Sequence, residues 1–125
     1  MPIRNISLNT KFYTFNQNNS GGTWFTDEKR GIGICVIIEA QNSQEANFKA
    51  EQIGLYFNGY RDCSCCGRRW SEVDEGSACD FPTLYGEKID LSKQTIKAVF
   101  DSSFYKDNLL FIHYYDGTIQ KLTYV

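Results

Sequence analysis

The chain has 125 residues, an aromatic share of 15% and a formal net charge of -2. That length suits one domain, 1–125, with a core of its own, and it excludes the need for covalent staples. The slightly acidic balance argues against duplex nucleic acid as a partner, and no apolar run is long enough to span a bilayer.

Lys11 to Phe15 reads as a short aromatic strand, followed by a polar loop from Asn16 to Gly22. Thr23 to Thr26 reads as a strand and Asp27 to Gly31 as a polar turn. Ile32 to Ala40 is the strongest early strand, with Ile32, Ile34, Val36 and Ile38 on one face and Cys35 on the other as a small apolar residue. A helix follows, with Ser43 as N-cap, Glu45 in the first turn and Gly54 at the C-terminal stop. Ala46, Ala50 and Ile53 share one face of it, small enough to lie close against a sheet. Leu55-Tyr56-Phe57 starts another strand, ended by the turn signal Asn58-Gly59.

Residues 71–90 are irregular and acidic (Glu72, Asp74, Glu75, Asp80) and read as a long functional loop. Thr95 to Phe100 is a strand. Leu109–Tyr115 and Thr118–Val125 flank Asp116-Gly117, a strong hairpin signal. The expected fold is α+β: a mostly antiparallel β-sheet, one main helix packed on a face, and a C-terminal β-hairpin.

Chemistry concentrates between Arg61 and Trp70. Cys63 and Cys66 form a C-x-x-C-G knuckle of the shape used to hold zinc, with Cys79 as a third ligand and His113 as a fourth. The second C-x-x-C of a zinc ribbon is missing, and the thioredoxin-like setting for redox work is absent. The alternative is an anion site. Arg61, Arg68 and Arg69 carry guanidinium forks that match phosphate, and Trp70 and Trp24 offer stacking surfaces. Asn18, Asn19, Ser20, Gly21 and Gly22 offer backbone N–H groups of the kind that cradle phosphate. In the plainer reading, Arg68 and Arg69 pair with the acids at 72–75 in solvent. His113, flanked by apolar residues, reads as a hydrogen-bonded strand residue, and no catalytic triad or metalloprotease motif is present. The five cysteines are an odd set, and the N-terminus lacks a leader pattern. The expectation is a cytoplasmic chain with reduced thiols and no required cofactor, zinc being the one alternative.

The segment Lys11-Phe-Tyr-Thr-Phe-Asn-Gln-Asn-Asn-Ser-Gly-Gly22, then Val36 to Ala40, Glu45-Ala-Asn47, Ile53 to Phe57 and Arg61-Asp-Cys-x-Cys-Cys-Gly67 with Trp70 resembles a family of small bacteriophage proteins of unknown function. The resemblance covers roughly the first seventy residues. It brings no catalytic or binding residues with it. It implies a non-enzymatic accessory protein of the host bacterial cytoplasm. By analogy with phage counter-defence factors, such a protein is an oligomeric sponge that sequesters a nucleotide-derived immune signal. An ADP-ribose derivative or a cyclic nucleotide is the expected ligand. The competing expectations are a zinc-knuckle protein that binds a host protein and a hydrolase of the same signals.

Overall fold

The computed structural model describes residues 9–17, 26–57, 70–84, 87–89, 95–96 and 109–124. The strands are β1 (Lys11–Asn16), β2 (Cys35–Ala40), β3 (Thr83–Leu84), β4 (Glu87–Lys88), β5 (Thr95–Ile96), β6 (Leu109–His113) and β7 (Ile119–Tyr124). One α-helix, α1, spans Ser43–Ile53, and short 3-10 turns occupy Glu28–Arg30 and Glu75–Ser77. The main sheet runs β1-β2-β6-β7-β5, and β3 and β4 form a separate small hairpin.

The two long pairings, β1 with β2 and β6 with β7, are antiparallel; β2 with β6 and β5 with β7 are parallel and shorter. The fold is therefore the α+β class with a mostly antiparallel sheet. The parallel β2–β6 contact requires a crossover, and α1 lies within it. Strand β2 is buried at every residue because it is covered on both faces. Val36, Ile38 and Ala40 face α1 through Ala46 and Ala50, together with Tyr13, Phe15, Phe57 and Trp70. Cys35 and Ile37 face the other way, onto Phe12, Leu84, Ile89, Leu110, Ile112 and Leu122.

Helix α1 begins one residue earlier than its sequence signal. Asn42 is the N-cap, its Oδ1 accepting from the Glu45 N–H at 2.8 Å, while Glu45 Oε1 accepts from the Gln41 N–H at 2.9 Å. Asn42 and Ser43 are both good caps, and the reach of Glu45 back to Gln41 favours the earlier one. Gly54 closes the helix at φ 121°, its N–H bonded to the carbonyls of Ala50 and Glu51.

The C-terminal hairpin forms as expected, through a three-residue loop. Tyr114 N–H donates to Thr118 O, and Gly117, at φ 91°, donates to Tyr114 O. The positive φ at the last loop position is what the glycine supplies. Other expectations change. Leu55–Phe57 is irregular, with Leu55 and Phe57 in the core, since the chain leaves the helix there rather than joining a strand. The acidic segment contains the 3-10 turn Glu75–Ser77 and leads into β3. It is docked, not a free loop.

Candidate functional site

Two segments hold most of the sequence-predicted ligand residues, and their roots meet at one corner of the sheet. At the end of β1, Asn16 pairs with Cys35 across the ladder, and its Oδ1 accepts from the Cys35 thiol at 3.1 Å. Gln17 is buried; its N–H donates to Ile34 O at 3.0 Å and its side-chain amide to Gly33 O at 3.4 Å. The Phe57 ring stacks on Phe15, with centroids 5.9 Å apart. Trp70 belongs to the same packed cluster. Residue 17 precedes the Asn-Ser-Gly-Gly segment, while residues 57 and 70 bracket the Cys/Arg segment. Asn18, Asn19, Ser20, Gly21, Gly22, Trp24, Arg61, Cys63, Cys66, Arg68 and Arg69 themselves lie outside the described residues.

Trp70 is a correction. At 1% exposure it is the largest fully buried side chain described, enclosed against Tyr13, Phe15 and Phe57. A ring packed this way has no face left to stack on a ligand base. Its indole instead anchors the return of the Cys/Arg segment to the core.

The acidic segment is tied to α1 by polar groups. Glu75 Oε1 accepts from the Ser43 N–H at 2.5 Å, at the positive end of the helix, and Glu75 Oε2 accepts from the Tyr13 hydroxyl at 3.2 Å. The hydrogen bonds from Ser43 hold the Glu75 carboxyl below its ordinary value, and the Tyr13 bond adds to this. Burial, then the bond to Glu75, pushes the Tyr13 hydroxyl up. Asn47 on α1 clasps Val73 both ways: its Nδ2 donates to Val73 O at 3.0 Å, and its Oδ1 accepts from Val73 N–H at 2.9 Å. The whole arrangement joins the acidic segment to the helix and to β1. It is a structural seam.

The pairing of Cys79 with His113 as ligands of one ion needs correcting, whereas Cys63 and Cys66 lie outside the described residues. Cys79 forms an antiparallel bridge with Phe12 on the outer edge of β1, and its thiol donates to Ser77 O and accepts from Thr83 Oγ1. His113 lies on β6, opposite Ile38. The two are three strand spacings apart, about 14 Å. They also sit on opposite faces, because Cys79 shares the side of Phe12 and His113 the side of Ile38. They cannot bind one ion. No group of three or more metal-ligating side chains occurs among the described residues.

A second feature, which the sequence did not announce, is a cleft of about 210 Å³ between α1 and the β6–β7 hairpin. Lys49, Gln52 and Ile53 line it from the helix, Ile38 and His113 from the sheet, and Tyr114, Tyr115, Gly117 and Ile119 from the hairpin. Lys49 Nζ sits 3.9 Å above the Tyr115 ring, 3.7 Å from Glu45 Oε1, and donates to Glu39 O at 3.4 Å. His113 Nε2 lies 2.8 Å from Gly31 O. A carbonyl only accepts, so Nε2 carries the proton. Burial lowers the His113 pKa, opposed by that hydrogen bond, so the ring is neutral at neutral pH. The cleft escapes sequence reading because its residues are scattered from 38 to 119.

Glu39 was also missed. It is 1% exposed in the middle of an apolar strand, where it accepts from the Thr10 hydroxyl and, at 2.9 Å, from the Tyr115 N–H. It thus ties the hairpin loop to β2. A lone acid within Val-Ile-Ile-Glu-Ala is the signal that could have marked it. Among the described residues, no helix is long and apolar enough to cross a membrane.

A family model described as a domain of unknown function (DUF7296) matches residues 10–124. No curated protein and no solved structure matches the chain.

Proposed function

The chain belongs to the DUF7296 family, a domain of unknown function, and on that footing we propose that it is a non-enzymatic binding module that sequesters a phosphate-bearing, nucleotide-derived ligand. One observation carries this reading: the chain enters the Asn-Ser-Gly-Gly segment at Gln17 and the Cys/Arg segment at Phe57, and Phe57 stacks on Phe15 two residues before Gln17. Two segments rooted together can close on one ligand. Asn18, Asn19, Ser20, Gly21 and Gly22 contact phosphate or ribose, Arg61, Arg68 and Arg69 neutralise its charge, and Trp24 stacks on the base. Trp70 is the anchor behind them.

The resemblance to small bacteriophage proteins supplies the biological role. In this proposal the protein is a counter-defence sponge acting as a homo-oligomer in the host cytoplasm, holding an ADP-ribose derivative or a cyclic nucleotide intact. The expected result is a rise of several degrees in Tm with ADP-ribose or a cyclic dinucleotide at saturating concentration. The triple variant R61Q/R68Q/R69Q loses the rise, and chromatography recovers the ligand unchanged. No shift with any such ligand overturns the reading; product formation replaces sequestration by hydrolysis.

A further inference from the structure

The cleft beside α1 is separate from the corner where the two segments root. It lies along Ile38 and His113, whereas the corner forms around Asn16 and Cys35. Its chemistry also selects a different ligand. Ile38, Ile53 and Ile119 give it apolar walls, Lys49 and Gln52 give it donors, and among the described residues no carboxylate lines it, the nearest named one being Glu45, 3.7 Å from Lys49 Nζ. With Nε2 committed to Gly31 O, Nδ1 of His113 keeps a lone pair that has no hydrogen-bond partner among the described residues.

Those groups decide between ligand classes. A phosphate needs several N–H donors, but three backbone donors of the hairpin loop are already engaged. Tyr115 N–H serves Glu39, Gly117 N–H serves Tyr114 O, and Thr118 N–H serves Asp116 Oδ1. One ammonium and one amide suit a carboxylate instead. An α-amino acid would bring a second ammonium beside Lys49, where the one neighbouring carboxylate, Glu45 at 3.7 Å, already pairs with Lys49. A neutral hydroxyl satisfies His113 Nδ1 without that penalty. At about 210 Å³ the cleft suits a small ligand.

We infer that the cleft is a binding site for a small apolar 2-hydroxy carboxylate. The carboxylate meets Lys49 and Gln52, the hydrocarbon lies against Ile38, Ile53 and Ile119, and the hydroxyl donates to His113 Nδ1. The site is independent of the nucleotide reading, so either can fail alone.

The test is an NMR titration of the full chain with 3-phenyllactate at millimolar concentration. The expected result is a saturable shift of the Ile119 methyl signals and of the His113 Nδ1 resonance. Lys49→Gln weakens binding roughly tenfold. Ile119→Trp, at a half-exposed position on the cleft wall, abolishes it. Phenylalanine and inorganic phosphate shift neither signal. The inference is overturned if the wild-type chain shows no saturable change at either resonance. Equal binding of phenylalanine or phosphate, or indifference to both substitutions, overturns it as well.

Discussion

On the α1 side of β2, Val36, Ile38 and Ala40 meet a helix whose fit is fixed at its rim by polar groups: Asn42 at the cap, Asn47 on Val73, and Glu75 between Ser43 and Tyr13. On the opposite side, Cys35 and Ile37 meet hydrocarbon from β3, β6, β7 and Ile89, with the rings of Phe12 and Tyr114 set edge to face at 6.1 Å. Both sides bury comparable residues, yet they differ in what they respond to. The opposite side is mostly hydrocarbon, but it also encloses the Glu39 carboxylate, which shares the side of Phe12 and accepts from the Thr10 hydroxyl and the Tyr115 N–H. The α1 side places Glu75 and His113 next to packed elements, and it also carries the cleft. Glu75, Tyr13 and His113, whose pKa values are shifted, lie on the α1 side, and the two faces differ in that respect.

The largest effect expected is from emptying either core. Trp70→Ala should cost about 3–5 kcal/mol and Ile112→Ala about 2–5 kcal/mol in urea unfolding. Losses of this size rival the stability of a whole domain. A mild result for Trp70→Ala would break the placement of its indole as an anchor. Next comes Asn47→Ala, which strands the Val73 N–H and C=O and should cost about 1–3 kcal/mol. Asn42→Ala removes only a cap and should cost about 1 kcal/mol.

The pH response sharpens the contrast further. Glu75 has a lowered pKa in the folded chain, so its stabilisation is complete above its ordinary value of 4.5 and is lost as pH falls through the lowered value. His113 is lowered as well; its neutral form favours folding above 6.5, and that advantage fades as pH falls through the folded-state value. Hydrogen exchange under mild acid should deprotect α1 amides before those of Leu110 and Ile112. Glu75→Gln should flatten the acid limb. Simultaneous loss on both faces would remove the distinction.

Much of this architecture was legible locally. Alternating apolar residues marked β2, small residues at helical spacing marked the packing face of α1, and Asp116-Gly117 marked the hairpin. The parallel β2–β6 pair was not legible, because no local pattern says which distant strand a fully buried strand will join. β3 and β4 were missed because two-residue strands carry no period. Trp70 looked like a contact surface because its neighbours in sequence are Arg68, Arg69, Ser71 and Glu72; its burial comes from Phe15 and Phe57, far along the chain. Of the candidate ligand residues, only Trp70 falls within the described part, so the corner is known by its roots. The cleft is a tertiary product throughout, with Lys49 and His113 brought together by the crossover.

The bridge between Cys79 and Phe12 has a consequence for assembly. Together with the Thr14 hydroxyl donating to Thr83 O and the Lys11–Asp80 ion pair, it occupies the outer edge of β1. A sheet that grows by adding copies strand to strand needs two receptive margins, one to receive and one to offer. Here one margin is already filled by the chain itself. A second copy approaching β1 edge to edge therefore meets backbone and side chains already engaged within the chain.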